Sequence, residues 1–105
     1  MTLHEFEQGL KEAAPGLVYE LAAPSNVNRF AVWHCYGASS VIGDNRNQVD
    51  ARKVQIDIIT KSSLDPLVDD ICAALWLMDL PYSVQSEGYD DDYKALRTIL
   101  QLVVI

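Results

Sequence analysis

The chain has 105 residues, half of them hydrophobic, and a net charge of −7. That length fits one domain with one core, and the apolar content excludes a disordered chain. With eight Lys and Arg against fifteen Asp and Glu, it lacks the cations that tight nucleic-acid binding uses to neutralise phosphates.

The first expected element is a helix. Thr2 and Glu5 form a T-x-x-E capping box, and Leu3, Phe6, Leu10 and Ala13 follow at helical spacing. Pro15-Gly16 ends it. Leu17–Leu21 reads as a short strand, and 23–28 (APSNVN) has loop chemistry. Phe30–Tyr36 (FAVWHCY) is rich in aromatic and β-branched residues and reads as a strand. Phe30, Val32, His34 and Tyr36 share one of its faces, and Ala31, Trp33 and Cys35 the other. Bulk on both faces points to a central strand.

Residues 37–50 (GASSVIGDNRNQVD) carry Gly, Ser, Asn and Asp throughout. The stretch is longer than a hairpin turn of about 2–5 residues, so a long surface loop is expected. Ala51–Thr60 alternates Val54, Ile56 and Ile58 against Lys53, Gln55 and Asp57, which makes it the clearest strand. Asp65-Pro66 supplies an N-cap and a first-turn proline. Leu64, Leu67, Val68, Ile71, Leu75 and Met78 then form a helical stripe, widened by Trp76 and Leu80 beside Cys72. Asp69 and Asp70 sit in the first turn, where the helix dipole favours acids, and Pro81 stops the helix. Tyr82–Ser86 is a strand, YDDDY (89–93) a turn, and 95–105 (ALRTILQLVVI) a final strand. So apolar a strand is a hazard as an open edge, so it is expected mid-sheet or paired across a subunit contact.

The order α-β-β-β-α-β-β predicts an α+β, two-layer domain covering residues 1–105. Its sheet is mostly antiparallel or mixed, with both helices on one face. The longest apolar run, residues 71–78, is far short of the ~20 residues that cross a bilayer, so no membrane partner is expected. The N-terminal MTLHEFEQ has neither a basic nor an apolar leader segment, so the expectation is a cytosolic protein with Cys35 and Cys72 reduced.

Candidate chemistries are few. Counted from Asp90, positions 5, 6 and 12 of an EF-hand fall on Lys94, Ala95 and Gln101, where an acid, Gly and Glu are needed. Consecutive carboxylates on a strand also point in alternating directions, so Asp90, Asp91 and Asp92 read first as a hairpin tip. A metal-dependent hydrolase built on these three aspartates ranks behind that reading. His34, Cys35 and Cys72 lack paired C-x-x-C spacing. There is no P-loop and no G-x-S-x-G elbow. No catalytic, cofactor or metal residues are therefore expected.

Charge is unevenly placed. Residues 57–92 hold nine acids and one base, a net −8, whereas Arg46, Arg52 and Lys53 make residues 46–53 locally basic. Candidate subunit or partner contacts are Asn45, Arg46, Asn47, Arg52 and Lys53 on one side, and Asp90, Asp91 and Asp92 on the other.

Three features together resemble a known family. FAVWHCY precedes a long loop; VQIDIITKSSLDPLVDDICAALWLMDL joins an alternating strand to a helix through a polar K-S-S joint; YSVQSEGYDDDYKALRTILQLVV forms two strands around a Tyr/Asp-rich tip. Over roughly residues 15–105 the chain resembles the small tail-completion or tail-terminator proteins of long-tailed phages and prophages. Where relatives carry an aromatic after the strand isoleucine, this chain has Ile59-Thr60. The resemblance implies a structural, non-enzymatic role. Such proteins form rings, commonly hexamers, at the head-proximal end of the tail, where they cap the tail tube and meet the head connector. They are made in the host cytoplasm and end in the virion. A head–tail connector or stopper, or another small virion adaptor, is the alternative within the same class.

Overall fold

A computed structural model describes the backbone of residues 1–42 and 48–105, and the side chains of residues 1–38 and 51–105. The elements run α1 (Leu3–Ala13), β1 (Val18–Glu20), β2 (Phe30–Ile42), β3 (Gln48–Thr60), α2 (Leu67–Leu77), β4 (Tyr82–Asp90) and β5 (Ala95–Val104). The strands form one sheet in the order β1-β2-β3-β5-β4. β1 runs parallel to β2, and every other pairing is antiparallel. This is the α+β two-layer domain that the residue patterns predict, and the apolar last strand lies inside the sheet between β3 and β4.

The capping box of α1 forms as its sequence dictates. The Thr2 hydroxyl accepts from the Glu5 N–H at 3.1 Å, and the Glu5 carboxylate accepts from the Thr2 N–H at 3.0 Å. Phe6 and Leu10 then face the sheet, fully buried. Phe6 meets the edge of Trp33 on β2 at 5.5 Å between ring centroids, and the Trp33 indole N–H donates to Glu7 at 3.0 Å. One apolar pair and one polar pair thus fix α1 against β2.

Both helices pack on one face of the sheet. That layer joins Phe6 and Leu10 of α1, Leu67, Ile71 and Leu75 of α2, Val54, Ile56 and Ile58 of β3, and Leu100, Leu102 and Val104 of β5. Leu64 and Trp76, read from the sequence as part of the α2 stripe, are instead 90% and 83% exposed. Leu64 precedes the helix. Trp76 lies about 140° around the helix from Ile71, on the far side from the sheet. Cys35 is likewise exposed and does not pack as a core hydrophobe.

Each end of α2 has a specific cause. Pro66 has right-handed helical backbone (φ −74°, ψ −2°), so Asp65 caps from just before it, its carboxylate accepting the Leu67 N–H at 2.9 Å. At the other end Asp79 sits at φ +58°. The Leu80 N–H donates to the Leu75 carbonyl at 2.9 Å, and the Asp79 N–H to that of Trp76 at 3.0 Å. This is a Schellman motif with an aspartate at the left-handed position that usually takes glycine.

The largest departure from the sequence reading is residues 37–50. β2 continues to Ile42 and β3 begins at Gln48, with pairs running from Gly37–Lys53 to Ile42–Gln48. Most of the expected loop is therefore a two-stranded ribbon. It passes beyond β1, which pairs with β2 only as far as Trp33, and beyond β5, which ends against Arg52. Small and polar residues in GASSV weaken the strand signal, since strand propensity favours β-branched and aromatic side chains.

Candidate interaction surfaces

Of the sequence-predicted contacts, Arg52 and Lys53 lie at one end of the sheet pairing and Asp90, Asp91 and Asp92 at the other. Register pairs Arg52 with Val104 and Thr60 with Leu96 along β3 and β5. The aspartate tip lies just beyond Leu96. Eight residues at about 3.4 Å each, the antiparallel rise, place the tip roughly 27 Å from Arg52. Arg52 and Lys53 therefore cannot neutralise the tip within one subunit. Asn45, Arg46 and Asn47 lie outside the described residues.

Arg52 and Lys53 are both exposed. As neighbours on a strand they project to opposite faces. Arg52 shares its side with Val54, toward the helices, and Lys53 shares its side with Gln55, on the uncovered face. Proximity in sequence suggests one patch here, and strand geometry divides it.

YDDDY is a hairpin tip. Asp90 closes the ladder opposite Ala95, and the chain turns through 91–94, with Lys94 at φ +51°. One Asp90 oxygen accepts from the backbone N–H of Asp92 at 2.9 Å and of Tyr93 at 3.1 Å, the local side-chain bonding that favours aspartate in turns. The other accepts from Arg97 at 3.1 Å. The Tyr93 N–H foremost, then Arg97, hold the Asp90 carboxyl below its ordinary value. Asp90 thus builds the turn, and only Asp91 and Asp92 project freely into solvent. The tyrosines divide as well. Tyr93 packs edge-on against Phe30 at 6.0 Å and under the Arg97 guanidinium at 6.0 Å, while Tyr89 is 64% exposed. Among the described residues no three His, Cys, Asp or Glu side chains gather at metal-ligating spacing.

The uncovered sheet face has its own organisation, which sequence reading missed. Phe30, Ile59 and Ala95 form a small second cluster, with Val32 and Tyr19 against it. Beside it Arg97 donates to Asp57 at 2.5 Å as well as to Asp90, clamping β3, β5 and the tip together. The two carboxylates, Asp57 first, raise the Arg97 guanidinium further above its ordinary value. Its Nε is buried without a partner among the described residues. A cleft of about 480 Å³ opens next to this clamp, between the 21–28 segment and the sheet, and includes His34, Asp57, Lys61 and Asp92. Arg29 makes a two-pronged pair with Asp65, at 2.6 and 2.8 Å, and ties the start of β2 to the start of α2. That bond, first among the causes, holds the Asp65 carboxyl below its ordinary value.

The alternating strands β3 and β5 were the available signal for Asp57 and Arg97, since both fall on the polar phase of an otherwise apolar pattern. Their pairing needed the register, which sequence alone does not supply. No protein-family model and no curated protein matches this chain.

Proposed function

We propose that this chain is a structural subunit of a tailed-phage or prophage virion, a tail-completion protein. In this reading it closes into a ring that caps the tail tube and meets the head connector. The sequence resemblance is the first support. The observation that carries the reading further is the charge separation along the sheet. Asp91 and Asp92 stand exposed at one end, and Arg52 and Lys53 about 27 Å away at the other. Head-to-tail assembly requires two different, complementary surfaces on each subunit, and opposite charges at opposite ends meet that requirement. The acid-rich composition suits a ring through which DNA passes without adhering.

Light scattering of the full chain, alone and with purified tail tubes, followed by negative-stain imaging, tests this reading. Closed rings, six copies of the 11.7 kDa chain in the commonest form of the family, are the expected result. A chain that stays monomeric at low salt and also fails to assemble on tail tubes overturns it.

A further inference from the structure

The flank formed by α2 and β4 carries a surface that ring closure through the sheet ends does not use. β4 is the last strand of the sheet, and among the described residues it pairs with β5 alone. Of its nine residues only Asp90 is even partly buried. The helices do not reach over it, so Tyr82, Val84 and Tyr89 remain 39%, 51% and 64% exposed on the side where the core lies elsewhere. Next to Tyr82 the exposed Trp76 of α2 forms one wall of a notch of about 340 Å³, completed by Asp79, Leu80 and Pro81. Asp69 and Val68 of α2 line a second cleft together with Glu87 and Gly88 of β4, which sets Asp69 at the same flank.

The charge around this notch has one sign. From Ser62 to Tyr93 the sequence contains no Lys or Arg at all, and Asp69, Asp79 and Glu87 lie on or beside the notch and the strand. Exposed tryptophan and tyrosine are the residues that anchor protein interfaces. A free strand edge offers main-chain donors and acceptors to an added strand. The Gln85 bulge, where the ladder skips from Val84 to Ser86, leaves Ser86–Asp90 as an open five-residue edge.

We propose that the α2–β4 flank is a docking site for a basic, extended segment of another protein. The segment adds as a strand along β4 and seats an apolar side chain between Trp76 and Tyr82. Its Lys or Arg residues face Asp69, Asp79 and Glu87. This does not depend on ring formation, since it uses a side of the sheet and not its ends.

The test uses the full chain and a fluorescein-labelled peptide of alternating Lys and Val, with a Glu and Val peptide as its counterpart. Binding is read by anisotropy, and the bound surface by amide chemical shifts. The expected result is binding of the cationic peptide, with shifts confined to residues 76–90. Trp76→Ala, a change at a solvent-facing position, should weaken it about ten-fold or more. Glu87→Gln with Asp69→Asn should weaken it at low salt and matter less at about 0.5 M. Equal binding of the two peptides, indifference to Trp76→Ala, shifts centred elsewhere, or no binding overturns the proposal. So does strong exchange protection of the β4 amides in the peptide-free chain together with a doubled mass, which would mean that a second copy already covers this edge.

Discussion

Arg97 on β5 donates to Asp57 on β3 at 2.5 Å, and this bond joins two strands on the face opposite the two helices. The same guanidinium reaches Asp90, so a single side chain ties the tip to the middle of the sheet. Replacing Arg97 with Met keeps an unbranched side chain of similar reach but leaves Asp57 half-buried without its cation. A loss of about 1–3 kcal/mol in chemical denaturation is expected. The double variant with Asp57→Asn should recover part of it. An unchanged midpoint for Arg97→Met would show that the clamp contributes nothing.

Asp79 occupies a left-handed backbone position, φ +58°, at the end of α2. Glycine enters that region without a steric cost. Asp79→Gly is therefore expected to raise stability by about 0.5–1 kcal/mol, measured by urea denaturation. A loss of stability would mean that the carboxylate has a role the hydrogen bonds do not reveal.

Ile56 and Leu75 face each other's layer in the main core, and both are fully buried. Truncating either to Ala should cost about 2–5 kcal/mol, with the spread set by how far the cavity collapses. Trp76→Ala, one residue along from Leu75, should cost less than either, since Trp76 is 83% exposed. A reversal of that order would contradict the orientation of α2.

Asp65 and Asp90 both titrate below their ordinary value, Asp65 chiefly through Arg29 and Asp90 chiefly through the Tyr93 N–H. A carboxyl whose folded value is depressed adds stability above the unfolded value of about 4, and that contribution fades as pH falls through the lower, folded value. Asp65→Asn and Asp90→Asn should thus destabilise at pH 7 and approach the parent chain's stability as the pH drops below about 4. Thermal melts across that range decide it. A gap that stays constant from neutral to acid would exclude an ionic origin.

Arg52 and Lys53 project from opposite faces of β3. If rings form through this end of the sheet, Arg52→Glu with Lys53→Glu should reduce the assembled mass while leaving the fold intact. Because a neighbour meets mainly one face, one of the two single variants should account for most of the loss. Unchanged assembly in the double variant would remove the charge-pairing account.

Much of the fold was legible because each core element carries its own period. The alternation in Val54, Ile56 and Ile58 and the 3- and 4-residue spacing from Leu67 to Leu75 are set by burial, and burial is what the sheet and helix faces impose. Residues 37–50 escaped because Gly, Ser, Asn and Asp carry turn chemistry, while the pairing of 37–42 with 48–53 is set by the backbone ladder. Trp76 misled for the opposite reason. Its hydrophobicity suggests the core, and only the angular position around α2 places it outside. The tip was recognisable as a turn from its aspartates, yet the unequal roles of Asp90, Asp91 and Asp92 depended on Arg97 seven residues away and on Asp57 in another strand.

The place of β5 also governs how the protein is made. A ribosome delivers β3 and β4 before the strand that lies between them, so neither can complete its pairing until residues 95–104 have emerged. Until then the Ile56 and Ile58 side of β3 has its later edge open, and β4 has no partner at all. The nascent chain exposes these edges until β5 appears, and any factor that shields them must stay bound until that moment.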